Sequence, residues 1–329
     1  MRFRRLGTTG LELSAVGFGA WAIGGSWAWG WGPQDDRESL AALHHALDGG
    51  VNWVDTAPAY GLGHSERIIG QALRERGDAT TVHVATKCGL WADGTRDLYD
   101  LRPASIRREV DASRRRLGVE VIDLYQIHWP DERTGTPVER SWETMAELVE
   151  EGKVRHAGVS NFDVDLLERC ERIRHVDSLQ PPLSLIDRRA LTELLPWCLA
   201  RSTGVLCYSP MQSGLLSGSF STARARGLPS GDWRRRDREF QEPRLEANLA
   251  VTEVLRPLAA RHGATVAAVA VAWVLAQPGV TAAIAGARRP AQAEGWLAAG
   301  GLELDRTDLD LLERALPVRL ASLDGDGAG

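Results

Sequence analysis

The sequence predicts an α/β protein of the (β/α)8, or TIM-barrel, class, folded as a single domain over residues 1–329. Three observations lead there. Eight short apolar runs recur along the chain, and amphipathic segments separate them. Parallel strands joined by crossover helices follow from that alternation, and eight units favour a closed barrel over an open doubly wound sheet. The length of 329 residues suits such a barrel, which needs about 250 residues before insertions.

The runs are AVGFGAW (15–21), VNWVDTA (51–57), HVATKCG (83–89), VIDLYQIHW (121–129), RHAGVSNF (155–162), VDSLQPP (176–182), GVLCYSP (204–210) and TAAIAGA (281–287). Each is shorter than a helix needs, and several are rich in β-branched or aromatic residues. The segments between them read as helices. In 105–118, Ile106, Val110, Ser113 and Leu117 share one face and Gly118 is the expected stop. In 138–151, Trp142, Met145, Leu148 and Val149 form the stripe and Gly152 ends it. Ser65 is the expected N-cap of the segment ERIIGQALRERG, with Gly77 as its stop. Extra helices are expected after the eighth strand.

Two stretches fall outside the repeat. FRRLGTTGLELS (3–14) reads as a β-hairpin turning at Gly7–Gly10 and placed to plug the base of the barrel. Residues 217–243, SGSFSTARARGLPSGDWRRRDREFQEP, form a long polar insertion that is either a lid over a bound cofactor, carrying Arg234, Arg235 and Arg236, or a solvated charge run. The tail at 321–329 is expected to be flexible.

Composition narrows the function. The 39 basic and 44 acidic side chains leave a formal net charge of −5, which gives no pull toward nucleic acid or anionic membrane. No signal peptide is expected at MRFRRLGTTGLELS, and no apolar stretch is long enough to span a bilayer. Four scattered cysteines (Cys88, Cys170, Cys198 and Cys207) fit free thiols in a reducing cytoplasm. The 8 histidines show no metal-ligand spacing, so no metal is expected.

In a barrel of this class the active site lies at the C-terminal ends of the strands. The second strand ends at Asp55 with Tyr60 in the loop beyond it, the third ends at Lys87 and the fourth at His128. Alone, each has an ordinary reading as a cap, a solvated charge or a backbone-bonded ring. Together they make a chemical set. Carbonyl reduction needs a hydride, which no side chain supplies, and a proton. A free tyrosine has a pKa of about 10, and a neighbouring lysine ammonium is expected to lower it. Asp55 would hold Lys87 charged, and His128 would donate to the carbonyl oxygen as alkoxide character develops.

The chain closely resembles the aldo-keto reductase family. The resemblance is carried by GFGAW (17–21), VNWVDTAPAYGLGHSE (51–66), ATKCG (85–89), DLYQIHWPD (123–131), GVSNF (158–162), YSPMQSGLLSG (208–218) and GARRPAQAEGW (286–296), and it runs from about residue 2 to about residue 316. It implies a catalytic tetrad of Asp55, Tyr60, Lys87 and His128, with Tyr60 as acid–base, and an NADPH or NADP+ cofactor across the barrel mouth, NADH being less favoured. Gly19, Ala20 and Trp21 at the first strand end, together with Asp55, fall in the implied cofactor site. Ser160, Asn161 and Gln180 match the positions that hold the nicotinamide carboxamide, and Tyr208 matches the aromatic that stacks on the ring. The backbone of Ser209, Met211, Ser213 and Leu215 would line the pyrophosphate path, with Gly214 and Gly218 allowing close approach. In the last block, which opens at Gly286, Arg288 and Gln292 match positions near the adenosine 2′-phosphate, where a planar guanidinium suits the anion. The chain departs from the family at Leu183, where many members carry tyrosine, and at Gly295 and Trp296, where a Glu–Asn pair often contacts adenine. Trp296 is read either as stacking beside adenine or as packing in its helix.

The 12 tryptophans include Trp21, Trp91 and Trp129, each following a strand and therefore expected to rim the substrate mouth with Tyr60 and His128. The implied activity is reversible reduction of an aldehyde or ketone, a small-molecule carbonyl substrate. A cofactor-sensing regulatory subunit of the same family, as in ion-channel β-subunits, is the alternative, and a metal-dependent barrel hydrolase is a minor third. Self-association is left open.

Overall fold

The computed structural model describes residues 1–77, 81–92, 97–131 and 133–316, with the backbone alone at 91, 92, 97 and 98; the tail at 321–329 lies outside the described residues. The chain opens with an antiparallel hairpin of β1 (Phe3–Arg5) and β2 (Glu12–Ser14). Then come β3 (Val16–Gly19), β4 (Trp53–Asp55), β5 (His83–Cys88), a second small hairpin of β6 (Leu90–Ala92) and β7 (Asp97–Tyr99), β8 (Ile122–Ile127), β9 (Val154–Ser160), β10 (Ser178–Gln180), β11 (Gly204–Cys207) and β12 (Ala282–Gly286). Eight of these, β3, β4, β5 and β8 to β12, close into a parallel barrel in that order, with β12 pairing back to β3. They are the eight apolar runs.

Helices α1 (Asp36–Asp48), α2 (His64–Arg76), α3 (Pro103–Leu117), α4 (Val138–Glu150), α5 (Val164–Glu171) and α6 (Leu194–Arg201) lie between successive barrel strands. α7 (Thr222–Arg226), α8 (Arg244–Arg261) and α9 (Val266–Leu275) separate β11 from β12, and α10 (Pro290–Leu297) and α11 (Arg306–Ala315) follow it. In α3 the buried stripe contains Ile106, Val110, Ser113 and Leu117, and Gly118 ends it at φ +72°. Every residue of α9 is buried, so its uniformly apolar sequence belongs to the core. No single helix among the described residues is long and apolar enough to cross a membrane.

The hairpin closes the base. Leu6 and Leu13 pack against Trp53, Ala85, Leu124 and Ile284 from inside the barrel. A side chain at Gly17 would overlap the Trp53 indole, so this glycine clears the space that the ring fills. The indole is anchored by donating to the Ser14 carbonyl at 2.9 Å.

Two local expectations are corrected. Ser65 is not the cap of α2. The helix starts two residues earlier, at His64, capped by Gly63 in the left-handed region at φ +81°, and the buried Ser65 hydroxyl donates instead to the Ala20 carbonyl at 2.9 Å, fastening α2 to the end of β3. Residues 217–243 are not a solvated charge run. They contain α7 and two 3-10 turns, Trp233–Arg236 and Arg238–Phe240. Leu215, Phe220, Leu228, Trp233, Phe240 and Leu245 form a small apolar core of their own under this segment. Burial of these side chains, not the sign of the charges around them, decides its conformation.

Candidate active site

Register puts the polar side chains of neighbouring strands at one level. Asp55 pairs with Gly19 on one side and Ala85 on the other, and Lys87 pairs with Gln126. Beyond β8 the ladder continues, with the His128 N–H donating to the Cys88 carbonyl at 3.0 Å, so the backbone itself fixes where His128 leaves the barrel. Tyr60 is held in the turn after β4. Gly24 and Gly61 touch backbone to backbone there, and a Cβ on Gly61 (φ +60°) would collide with the Gly24 carbonyl. Any other residue pair would push the Tyr60 turn off the mouth.

Lys87 is fully buried, and its ammonium has three donors with three acceptors. They are Asp55 Oδ1 at 2.6 Å, the Thr56 carbonyl at 2.9 Å and the Tyr60 hydroxyl at 3.4 Å. The Asp55 side, 3% exposed, makes this a buried ion pair. The other carboxylate oxygen, Oδ2, accepts from the Gln180 amide at 2.8 Å and from the Gln126 amide at 3.5 Å. The His128 ring stands edge-on to Tyr60, with centroids 5.8 Å apart and planes at 80°. All four strand-end candidates therefore meet.

The electrostatics differ from the sequence expectation in one respect. Burial, reinforced by the Asp55 charge, holds the Tyr60 phenol well above the usual tyrosine range, not below it. Desolvation of the phenolate outweighs the ammonium beside it. Burial also holds Lys87 below its ordinary value, against the opposing pull of Asp55. His128 is pushed well below the usual histidine range, first by burial and then by the Lys87 charge, so it is a neutral imidazole at physiological pH. Its Nδ1 is buried without a hydrogen-bond partner among the described residues.

The residues matched to a nicotinamide site are wired into the same network. Ser160 Oγ donates to the Gln180 carbonyl at 2.8 Å. The Asn161 amide donates to the His128 carbonyl at 2.9 Å and to Ser160 Oγ at 3.0 Å, and it accepts from the Tyr208 hydroxyl at 2.7 Å. Asn161 takes φ +62°, and Ser209, Gln212 and Ser213 take +55°, +44° and +51°. Non-glycine residues rarely adopt this conformation, which gathers at ligand clamps; within the bend the Gln212 and Gly214 N–H groups donate to the Ser209 and Met211 carbonyls at 2.8 and 3.1 Å. Met211 and the buried Leu215 flank that bend. At Gly218 the close neighbour is the Val266 side chain, so that glycine serves packing on α9.

Gly19 and Gly286 are paired at the ends of β3 and β12, and Ala20 donates its N–H to the Asp55 carbonyl at 2.9 Å. Arg288 lies just beyond. Its guanidinium donates to Gln34 Oε1 at 2.6 Å, to the Trp31 carbonyl at 3.2 Å and to the Pro33 carbonyl, while its own N–H donates to Gln292 Oε1 at 2.7 Å. Trp296 is buried and donates to the Gly286 carbonyl at 3.2 Å, which settles it as a packing residue and not an adenine platform.

On the rim, Trp129 is 41% exposed, and the side chain of Trp91 lies outside the described residues. Trp21 stacks on Trp233 from the insertion, with centroids 5.2 Å apart, and meets Trp31 edge-on at 5.5 Å. Sequence reasoning missed Trp27, Trp31, Trp233, Gln126 and Asp232, the buried partner of Arg234 at 2.6 Å. Two signals pointed to some of them: the tryptophans alternating in SWAWGWG, and a lone amide inside the apolar run LYQIHW.

Comparison with known proteins agrees with the fold. The model of the aldo/keto reductase family matches residues 15–317. A protein of Escherichia coli (strain K12) named NADH-specific methylglyoxal reductase is 36% identical over 93% of this chain and 96% of its own. The solved structure of a glycerol dehydrogenase from Gluconobacter oxydans superposes with a TM-score of 0.85 at 38% identity, covering 99% of this chain and 97% of that one. A Klebsiella pneumoniae aldo/keto reductase in complex with NADP and acetate gives a TM-score of 0.71 at 28% identity, over 96% of each chain. With a closed eight-stranded barrel and this extent of likeness, the chain belongs to the aldo/keto reductase family of oxidoreductases.

Proposed function

We propose that this protein is a cytoplasmic, NADPH-dependent oxidoreductase that reduces an aldehyde or ketone to the alcohol, reversibly, with Tyr60 delivering the proton. The observation that carries the reading is the exhausted donor set of Lys87. Two of its N–H groups are spent on Asp55 and Thr56, which leaves the third facing the Tyr60 hydroxyl.

The residues fit a nicotinamide dinucleotide. Three polar side chains, Ser160, Asn161 and Gln180, ring the end of the barrel and connect to both Asp55 and His128. The positive-φ bend at Gln212 to Gly214 suits a pyrophosphate, and Tyr208 provides an aromatic face. When bound, the dinucleotide supplies the hydride. The chain's own residues do the rest. Tyr60, protonated because it is buried, gives its proton to the carbonyl oxygen. The Lys87 ammonium stabilises the phenolate left behind, and Asp55 keeps that ammonium in place. Neutral His128 donates to the same carbonyl oxygen and orients it. Trp21 and Trp129 wall the substrate side of Tyr60 and His128.

The directions of these pKa shifts set an expected pH dependence. Reduction uses the protonated phenol, so its rate should stay level from about pH 6 to 9 and fall only above the raised phenol pKa. Neutral His128 should leave no inflection near the ordinary histidine value of about 6.5. Alcohol oxidation uses the phenolate and should climb with pH throughout the alkaline range. Initial rates of NADPH oxidation and NADP+ reduction across pH check this; oxidation falling as pH rises would contradict it.

For the 2′-phosphate we infer a role for Arg288, supported by Gln292 holding its backbone. Since a relative is named for NADH, the test compares both cofactors. Arg288→Ala should raise the NADPH dissociation constant by about tenfold to a hundredfold, the range of one charge-assisted contact, and NADH much less. Equal weakening of the two would mean that Arg288 acts only by holding the 31–34 segment.

A further inference from the structure

Around the barrel, neighbouring helices are joined at the surface by opposite charges. Arg76 with Asp48 at 2.7 Å and His64 with Asp36 at 2.8 Å bridge α2 to α1. Arg107 of α3 reaches Glu147 and Glu151 at the end of α4, at 2.5 and 2.6 Å. Arg169 of α5 pairs with Glu139 of α4 at 2.7 Å, and Arg201 of α6 with Glu168 of α5 at 2.5 Å. The seam between α2 and α3 departs from this pattern. Arg67 and Arg74 face it from α2, and Arg115 and Arg116 face it from α3.

A groove of about 460 Å³ opens along that seam, lined by the four arginines with Gln71 and Ala112. Helical spacing builds it. Arg67, Gln71 and Arg74 stand at i, i+4 and i+7 on one face of α2, and Ala112, Arg115 and Arg116 at i, i+3 and i+4 on α3. Gly70 lets the two helices touch beneath it, since a Cβ there would come 2.6 Å from the Arg116 carbonyl oxygen. Arg116 is also held from below. Its guanidinium donates to the fully buried Glu66 at 2.5 Å and to Ser113 Oγ at 3.2 Å. Glu66 in turn accepts from the Thr86 hydroxyl at 2.7 Å, so its charge is committed inside the fold. No carboxylate is among the lining residues, and the side chains of Arg67, Arg74 and Arg115 form no hydrogen bond or ion pair among the described residues.

Guanidinium groups gathered without a counter-charge repel one another, and the chain as a whole carries a formal net charge of −5. Such a cluster suits an anion of several charges. Each planar fork takes two phosphate oxygens, so four forks can engage about eight, more than one orthophosphate offers. The volume falls within the range of small-molecule sites, about 300–1,000 Å³. We propose that the groove between α2 and α3 binds a small polyphosphate, a di- or triphosphate group, at a site separate from the barrel mouth. It lies on helices that flank β5, whereas the residues assigned above to the dinucleotide phosphates follow β11 and β12.

Isothermal titration calorimetry of the NADP+ complex with tripolyphosphate, ATP and inorganic phosphate tests this. Tripolyphosphate should occupy a single site and bind at least about tenfold tighter than inorganic phosphate. Arg67→Ala combined with Arg115→Ala should weaken it by about tenfold or more. Both side chains are exposed, so the fold is left intact, and Arg116 is kept because Glu66 relies on it. A control of equal charge change at exposed positions elsewhere, Arg5→Ala combined with Arg172→Ala, should leave the affinity within about twofold. ATP binding as tightly as tripolyphosphate supports the proposal with a nucleotide as occupant. Tripolyphosphate binding about tenfold tighter than ATP supports it with a polyphosphate lacking a base. No saturable tripolyphosphate binding below about 1 mM, no weakening in the Arg67/Arg115 variant, or equal weakening in the control overturns it.

Discussion

Tyr60→Phe is expected to lower the rate of carbonyl reduction by about 10²- to 10⁴-fold, the usual contribution of a positioned general acid. The substitution removes one oxygen whose recorded partner is the Lys87 ammonium at 3.4 Å. It leaves Lys87 bonded to Asp55 and Thr56 and leaves the Ser160, Asn161 and Gln180 set untouched. Cofactor affinity should therefore stay within about twofold, because the loss falls on the transition state alone. Steady-state NADPH oxidation, read beside a fluorescence titration with NADP+, separates the two effects. Turnover retained in the variant would remove Tyr60 from the acid role.

The second large effect is on stability. Lys87→Met should destabilise the protein by about 3–5 kcal/mol, the cost of breaking a buried ion pair from one side. Asp55 would then keep a buried carboxylate whose Oδ1 has lost its 2.6 Å partner, with only amide donors on Oδ2. The remedy is specific. Adding Asp55→Asn removes the uncompensated charge, so the double variant should recover a measurable part of the loss. Urea denaturation of the wild type, both single variants and the double variant gives the coupling directly. Additive losses would show that the pair is not energetically linked.

What the sequence made readable divides along physical lines. The barrel was readable because each strand is a local apolar run and each helix has a local stripe, as in Ile106, Val110 and Leu117. The meeting of Asp55, Tyr60, Lys87 and His128 follows from strand-end position, which parallel closure carries to one mouth. Features set by register or long-range burial were not readable. Gln126 reaches Asp55 only because β5 and β8 pair Lys87 with Gln126. The direction of the Tyr60 shift depends on how completely the mouth excludes water, and proximity to Lys87 alone suggested the opposite sign. Residues 217–243 look polar, yet Trp233 stacks on Trp21 and Arg234 lies over the Trp31 ring at 4.3 Å, contacts between segments about two hundred residues apart. Ser65 looked like a cap because Gly63 carries no sign in sequence of the left-handed turn it makes.

A crystal structure of the protein with NADP+ addresses the central claim most directly. The nicotinamide carboxamide should rest on Ser160, Asn161 and Gln180, the ring should lie against Tyr208, and its C4 should face the Tyr60 hydroxyl across a gap that one carbonyl group fills. A dinucleotide bound elsewhere on the barrel, or a ring whose C4 is turned away from Tyr60, would contradict the account.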